Sequence, residues 1–208
     1  MKAGAAVFNE ASGHWEKLGE EWILSKDSYF QGQKGVSAGK EIVFYKENED
    51  FFVAYQNGMY EDKLSIRKFN GVSWEILGQT TISDGIAKSI YLYSYQGNTF
   101  VSYRDNFTGK VNIKKYVENN WLGSEIPIAN YSAGINGEGE NLYILFTETI
   151  GGKLSVVKLS GYIPTFVGKQ NFSSRSADWN LMIDVYNGVP YVLYYDYNRS
   201  VFYVAKFD

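Results

Sequence analysis

Apolar and polar residues alternate along most of this chain in short runs, each closed by glycine, asparagine or aspartate. Alternation with a period of two predicts strands that bury one face. The clearest stretch predicts four of them, at residues 90–95, 99–103 and 111–116 and in a segment opening at Trp121. The stretch before it predicts strands at 42–45, 51–55, 64–69 and 74–77, and the stretch after it a glycine-rich inner strand at 136–139, then 142–146, 154–159 and 165–167. The last stretch predicts three strands, at 181–186, 191–195 and 201–207, without a fourth.

These groups of strands repeat. A serine turn recurs as Ser37-Ala38-Gly39, Ser83-Asp84-Gly85 and Ser132-Ala133-Gly134, and in degraded form as Ser176-Ala177-Asp178, at steps of 46, 49 and 44 residues. An apolar segment ending in an aromatic recurs as Phe52 to Tyr55, Phe100 to Tyr103, Tyr143 to Phe146 and Tyr191 to Tyr194, at steps of 48, 43 and 48. A third marker, a lysine before a large apolar residue, recurs at Lys68-Phe69, Lys115-Tyr116, Lys158-Leu159 and Lys206-Phe207. One period shared by independent markers predicts stacked copies of one supersecondary unit. The expectation is one domain over residues 1–208, with units near 37–78, 83–127, 132–170 and 176–208, the last joined by 1–19, and an insertion at 20–36.

The missing strand has a counterpart at the other end of the chain. Phe8-Asn9 through Trp15-Glu16-Lys17-Leu18-Gly19 mirrors Phe69-Asn70 through Trp74-Glu75-Ile76-Leu77-Gly78. The N-terminal segment is therefore expected to add the outer strand to the last unit and close a ring, which would pair an exposed sheet edge. The alternative is that the chain is a fragment of a larger ring.

Composition narrows the functions. The chain is 45% apolar and 17% aromatic, enough for a packed core, and tyrosine (18) and phenylalanine (13) far outnumber proline (3), which favours strands. A net charge of −3 argues against a nucleic-acid partner, since no positive field draws a phosphate backbone. No apolar run is long enough to span a bilayer, so no membrane insertion is expected. The absence of cysteine excludes a disulfide, a thiol nucleophile and a cysteine-type zinc site. The one histidine, His14, falls in the predicted N-terminal hairpin and reads as a surface side chain, and no cofactor is implied.

Trp15, Trp74 and Trp121, the Leu18-Gly19 and Leu77-Gly78 pairs and the serine turns resemble blades of the broad β-propeller family, especially bacterial and lectin-type repeats. The resemblance implies an all-β propeller of four units, each a four-stranded antiparallel sheet. It also implies a secreted or cell-surface location. The sialidase box and the WD signature are both absent, and propellers host many functions, so the family leaves the ligand open.

In such a ring the turns before inner strands and those after second strands share one face, so Ser83-Asp84-Gly85 and Arg104-Asp105 should approach each other. The matching second-strand exits are Gln56-Asn57, Thr147-Glu148 and Tyr195-Asp196. Such polar residues also cap turns by accepting from backbone N–H groups. The three repeated tryptophans read as packing between blades. Trp22, in the insertion, and Trp179, beside Arg175 and Asp178, lie outside the repeat and read as sugar-stacking aromatics flanked by groups that bind hydroxyls.

The leading expectation is thus a non-enzymatic recognition module for a carbohydrate or glycoconjugate. Its contacts would be Trp22, Tyr29, Arg175, Asp178 and Trp179, with Asp84, Arg104, Asp105 and Asp196 as secondary ones. A glycoside-active enzyme using Glu41, Glu138 and Asp184 on or near inner strands is the first alternative. A scaffold for a protein partner is the second.

Overall fold

The computed structural model describes residues 4–19, 41–126, 129–161, 163–173, 181–196 and 199–207. Its strands assemble in chain order. A hairpin of β1 (Ala6–Asn9) and β2 (His14–Lys17) comes first. The first sheet follows as β3 (Ile42–Glu47), β4 (Asp50–Asn57), β5 (Lys63–Phe69) and β6 (Trp74–Ile76). The second is β7 (Ala87–Tyr95), β8 (Asn98–Asp105), β9 (Lys110–Val117) and β10 (Asn120–Ile126), and the third is β11 (Ala129–Glu138), β12 (Asn141–Glu148), β13 (Leu154–Ser160) and β14 (Ile163–Phe166). The fourth has three strands, β15 (Met182–Tyr186), β16 (Val189–Asp196) and β17 (Val201–Lys206). Each sheet is an antiparallel meander, as the alternating sequence predicts, and the only helix among the described residues is a single 3-10 turn at Gly58–Tyr60.

The inner strands β3, β7, β11 and β15 lie beside one another in order, so the sheets stack face to face. One face of each sheet, its rear, packs on the front of the next. Phe52 and Ala54 at the rear of the first sheet share a core with Ile90, Leu92, Val101 and Tyr103 at the front of the second. Tyr143 and Leu145 at the rear of the third share one with Ile183 and Val192 of the fourth. Second strands are therefore apolar on both faces, which explains why they read as near-continuous hydrophobic runs.

A lock recurs where the hairpin meets the first sheet and where the first sheet meets the second. Trp74 Nε1 donates to Leu18 O at 2.9 Å, and Trp121 Nε1 donates to Leu77 O at 2.8 Å, each tryptophan reaching the unit before it. The residue after each leucine is glycine with positive φ, Gly19 (+81°) and Gly78 (+80°), and a Cβ there would crowd the tryptophan at 3.1 Å. Only glycine gives both that backbone conformation and that approach.

Tyrosine hydroxyls add a second tie. Tyr45 Oη donates to Ser94 O at 3.3 Å, Tyr93 Oη to Gly139 O at 3.4 Å and Tyr143 Oη to Gly188 O at 2.8 Å, each crossing to the following sheet. Burial is the main cause that pushes the Tyr93 phenol up to about 12, with nearby Tyr45 and Glu47 adding to it. Burial likewise raises Tyr103 and Tyr45 above the usual 10.0. An acid whose folded pKa is raised holds its proton longer in the folded chain, so its contribution is complete below pH 10.0 and is lost as pH climbs towards about 12. Urea midpoints measured across that window are expected to fall, and Tyr93→Phe is expected to flatten the fall.

The N-terminal segment departs from expectation. β2 pairs with β1, and the fourth sheet holds three strands with no outer partner for β17 among the described residues. Ala5 and Leu18 instead cover Val53, Tyr55 and Trp74 on the front of the first sheet. Both β1 and β17 match the third strand of a unit, so the hairpin arrives with its own partner and does not complete the fourth sheet here. Trp15 is accordingly 71% exposed, whereas Trp74 and Trp121 are 6% and 5% exposed. A second departure concerns the last serine turn. Ser173 Oγ accepts from Leu154 N as Ser83 Oγ accepts from Leu64 N, so Ser173 repeats the role of Ser83. Ser176 lies outside the described residues.

Candidate binding rim

The β8–β9 turn and the segment leading into β7 meet at one end of the second sheet. Asp105 holds them together: its Oδ2 accepts from Asp84 N and Gly85 N, both at 3.0 Å, and its Oδ1 accepts from Phe107 N at 2.8 Å and Thr108 N at 3.3 Å. The expected approach of Asp84 and Gly85 to Arg104 and Asp105 is thus present, and the buried Asp105 carboxylate is a turn cap facing inward. Gly85 makes the closeness feasible, since a Cβ there would lie 2.5 Å from Phe107 Cβ and 2.9 Å from Asp105 Oδ1. Asp196, also buried, accepts from Arg199 N at 3.3 Å at the matching exit of the fourth sheet. Asn57 does likewise in the first sheet, accepting from Met59 N at 3.2 Å.

Beneath this turn lies Lys114, whose Nζ donates to Ile82 O at 2.7 Å. Burial lowers its pKa, and the nearby Asp84 and Asp105 carboxylates oppose that shift. Asp84 itself is exposed above it.

Arg104 faces the junction of the second and third sheets. Its guanidinium lies 4.7 Å from the centre of the Tyr131 ring, and Nη1 donates to Asn106 Oδ1 at 2.9 Å. Its Nε is buried with no hydrogen-bond partner among the described residues. Phe107, at the tip of the turn, is 82% exposed, and Tyr131 is exposed beside Arg104. Two aromatics, a guanidinium and an amide therefore share one open rim. A guanidinium stacked on an aromatic face keeps its in-plane N–H groups available for hydroxyls.

Tyr131, Asn106 and Phe107 are not among the contacts expected from the sequence. Their signal was local: Tyr131 immediately precedes the Ser132-Ala133-Gly134 turn, and Asn106-Phe107 immediately follow Arg104-Asp105. Trp22, Tyr29, Arg175, Asp178 and Trp179 lie outside the described residues. Of the carboxylates considered for catalysis, Glu41 Oε2 accepts from Ile90 N at 3.2 Å and Glu138 Oε2 from Gly188 N at 2.5 Å. Asp184 Oδ1 accepts from Asn136 Nδ2 at 2.9 Å. Each ties one inner strand to the neighbouring sheet. Among the described residues, no group of three or more histidine, cysteine, aspartate or glutamate side chains could hold a metal ion.

No protein-family model matches the chain, and no curated protein does. Solved structures do. A mutant of AofleA from Arthrobotrys oligospora matches with a TM-score of 0.58 and 13% identity, over 81% of this chain and 53% of that one. The polysaccharide lyase Uly1 matches with a TM-score of 0.52 and 12% identity, over 98% of this chain and 52% of that one. An exo-β-1,3-galactanase from Phanerochaete chrysosporium matches at 0.49 and 14%, over 93% and 47%. The chain thus spans about half the length of these structures. Successive antiparallel meanders stacked by their faces, together with these likenesses, make this an all-β chain of propeller type.

Proposed function

We propose that the protein recognises carbohydrate at the rim formed by Arg104, Asn106, Phe107 and Tyr131. The observation that carries this reading is the Arg104 guanidinium packed on Tyr131 and bonded to Asn106 beside the exposed Phe107 ring. Sugar rings offer an apolar C–H face and a fringe of hydroxyls, and a site with aromatic faces and fixed polar groups matches both. Trp22, Tyr29, Arg175, Asp178 and Trp179 belong to the same reading as further contacts. Asp105 and Asp196 serve it as turn caps that hold the rim loops.

A second reading, cleavage of a glycan, draws support from the neighbours, since Uly1 is named a polysaccharide lyase. In that reading Glu41, Glu138 and Asp184 are the acids. Their present hydrogen bonds to the neighbouring sheet make them structural as well.

A glycan-array screen of the chain, with reducing-sugar release measured on every hit, separates the two. Binding without release is expected, with Arg104→Ala weakening it at least about tenfold, equivalent to roughly 1.4 kcal/mol. Binding unchanged in Arg104→Ala would remove the rim from the proposal. Release abolished by Glu138→Gln would establish cleavage.

A further inference from the structure

The two ends of the stack carry unfilled halves of the same lock. At the exit of the third sheet, Val167 N donates to Val156 O as Leu77 N donates to Ile66 O, so Val167 and Gly168 stand where Leu77 and Gly78 stand in the first sheet. Gly168 has φ +67°, and a Cβ there would meet the Phe207 ring at 2.6 Å, just as one on Gly78 would meet Tyr116. The tryptophan that completes this slot elsewhere sits on an outer strand, and among the described residues the fourth sheet has none. Trp15 is such a tryptophan on such a strand, and it is exposed.

The sheet faces tell the same story. Ile90 and Leu92 on the front of the second sheet are buried by the sheet before it, while their counterparts Ile42 and Phe44 on the first sheet are exposed. On the rear of the fourth sheet Met182, Phe202 and Val204 are exposed. Charge is complementary as well. Where Tyr45 reaches Ser94 across an internal junction, the counterparts at the open ends are Asp184 and the exposed Lys46.

We infer that two copies of this chain associate head to tail, β2 of one copy pairing with β17 of the other as the outer strand of its fourth sheet. β17 takes the place of β1, whose Phe8 it matches with Phe207. Trp15 enters the slot above Gly168 and donates to Val167 O, the rear of the fourth sheet covers Ile42 and Phe44, and Asp184 meets Lys46. The partner is a second copy because among the described residues these surfaces stay open, and each end carries the half that the other lacks. A head-to-tail contact of this kind, made twice, gives a closed pair when its rotation is a half-turn.

The register of β5 with β6, Arg67 opposite Ile76, places Ala205 opposite Lys17 in the composite sheet. The chain has no cysteine, so Lys17→Cys and Ala205→Cys each create a single thiol, and opposed strand positions meet disulfide geometry. Light scattering on the unaltered chain is expected to give twice the mass of one chain. Oxidising the two single-cysteine variants together is expected to give a cross-linked pair that neither gives alone. Trp15→Ala, at a site exposed in the lone chain, is expected to return the protein to one-chain mass with its strand signal intact. A one-chain mass for the unaltered protein would overturn the inference. So would a disulfide formed only within a double variant at one-chain mass, or a dimer that neither cross-links in the mixture nor responds to Trp15→Ala.

Discussion

Trp121→Ala is expected to cost about 3–5 kcal/mol of folding stability, read as a lower urea midpoint with little change in slope. Trp121 is buried between the first two sheets, its ring centre 5.4 Å from that of Tyr116 and its Nε1 bonded to Leu77 O. Truncation leaves a cavity that the surrounding strands cannot collapse into, because Gly78 beneath it offers no side chain to fill the space. It also leaves the Leu77 carbonyl without its partner. Trp121→Phe keeps most of the apolar area and removes only the donor, so its cost is expected to be about 1–2 kcal/mol. Equal costs for both variants would mean that the hydrogen bond, and not the packing, closes this junction.

Asp105→Ala is expected to cost about 2–4 kcal/mol and to disorder the rim as well. One carboxylate accepts from four backbone N–H groups, two on the segment leading into β7 and two in the β8–β9 turn. Removing it frees both loops together. Asn at this position retains one acceptor oxygen and is expected to recover about half the loss. Since Phe107 is held by this cap, sugar binding should fall along with stability. Retained stability in Asp105→Ala would show that solvent replaces the carboxylate and that the turns are not its dependants.

The strands were legible because their alternation is regular and their turns are marked by glycine and asparagine. Fifteen predicted strands in four groups correspond to β3 through β17, with bounds shifted by a few residues except at β11, which begins at Ala129 rather than near Asn136. Gly134 and Gly137 interrupt the pattern of that strand, so the sequence predicts it short. The ring closure was not legible. Similarity to Phe69 through Gly78 says what position the N-terminal segment occupies within a unit, but β1 and β17 carry the same pattern and compete for β2. Sequence likeness ranks them equally, and pairing within the hairpin needs only a short turn. The last serine marker slipped for a related reason, as Ser173, Ser174 and Ser176 all suit a turn and only the bond to Leu154 N distinguishes Ser173.

The site was half legible. The geometry of stacked units brought Asp84 and Gly85 to Arg104 and Asp105, because turns at one end of neighbouring strands must meet. What each residue does there depends on side-chain direction, which the pattern does not encode. Asp105 points inward to backbone donors, whereas Arg104 points across to Tyr131, a residue of the next sheet. A pairing between sheets, with 26 residues of chain between its members, leaves no trace in local spacing.

The tyrosine-to-carbonyl ties, which recur at all three sheet junctions, make each unit answer to its neighbour and to little else. Energy in such a stack is nearly a sum of unit terms and nearest-neighbour couplings, so within a lone copy the middle is held from two sides and the ends from one. In the one-chain Trp15→Ala protein, amide exchange should then be slowest around β8 and β12 and fastest in β15–β17 and the hairpin, with fraying that runs inward from the termini. A defect at one junction would divide the molecule into two shorter cooperative blocks, so the chain would melt in stages where the intact stack melts once.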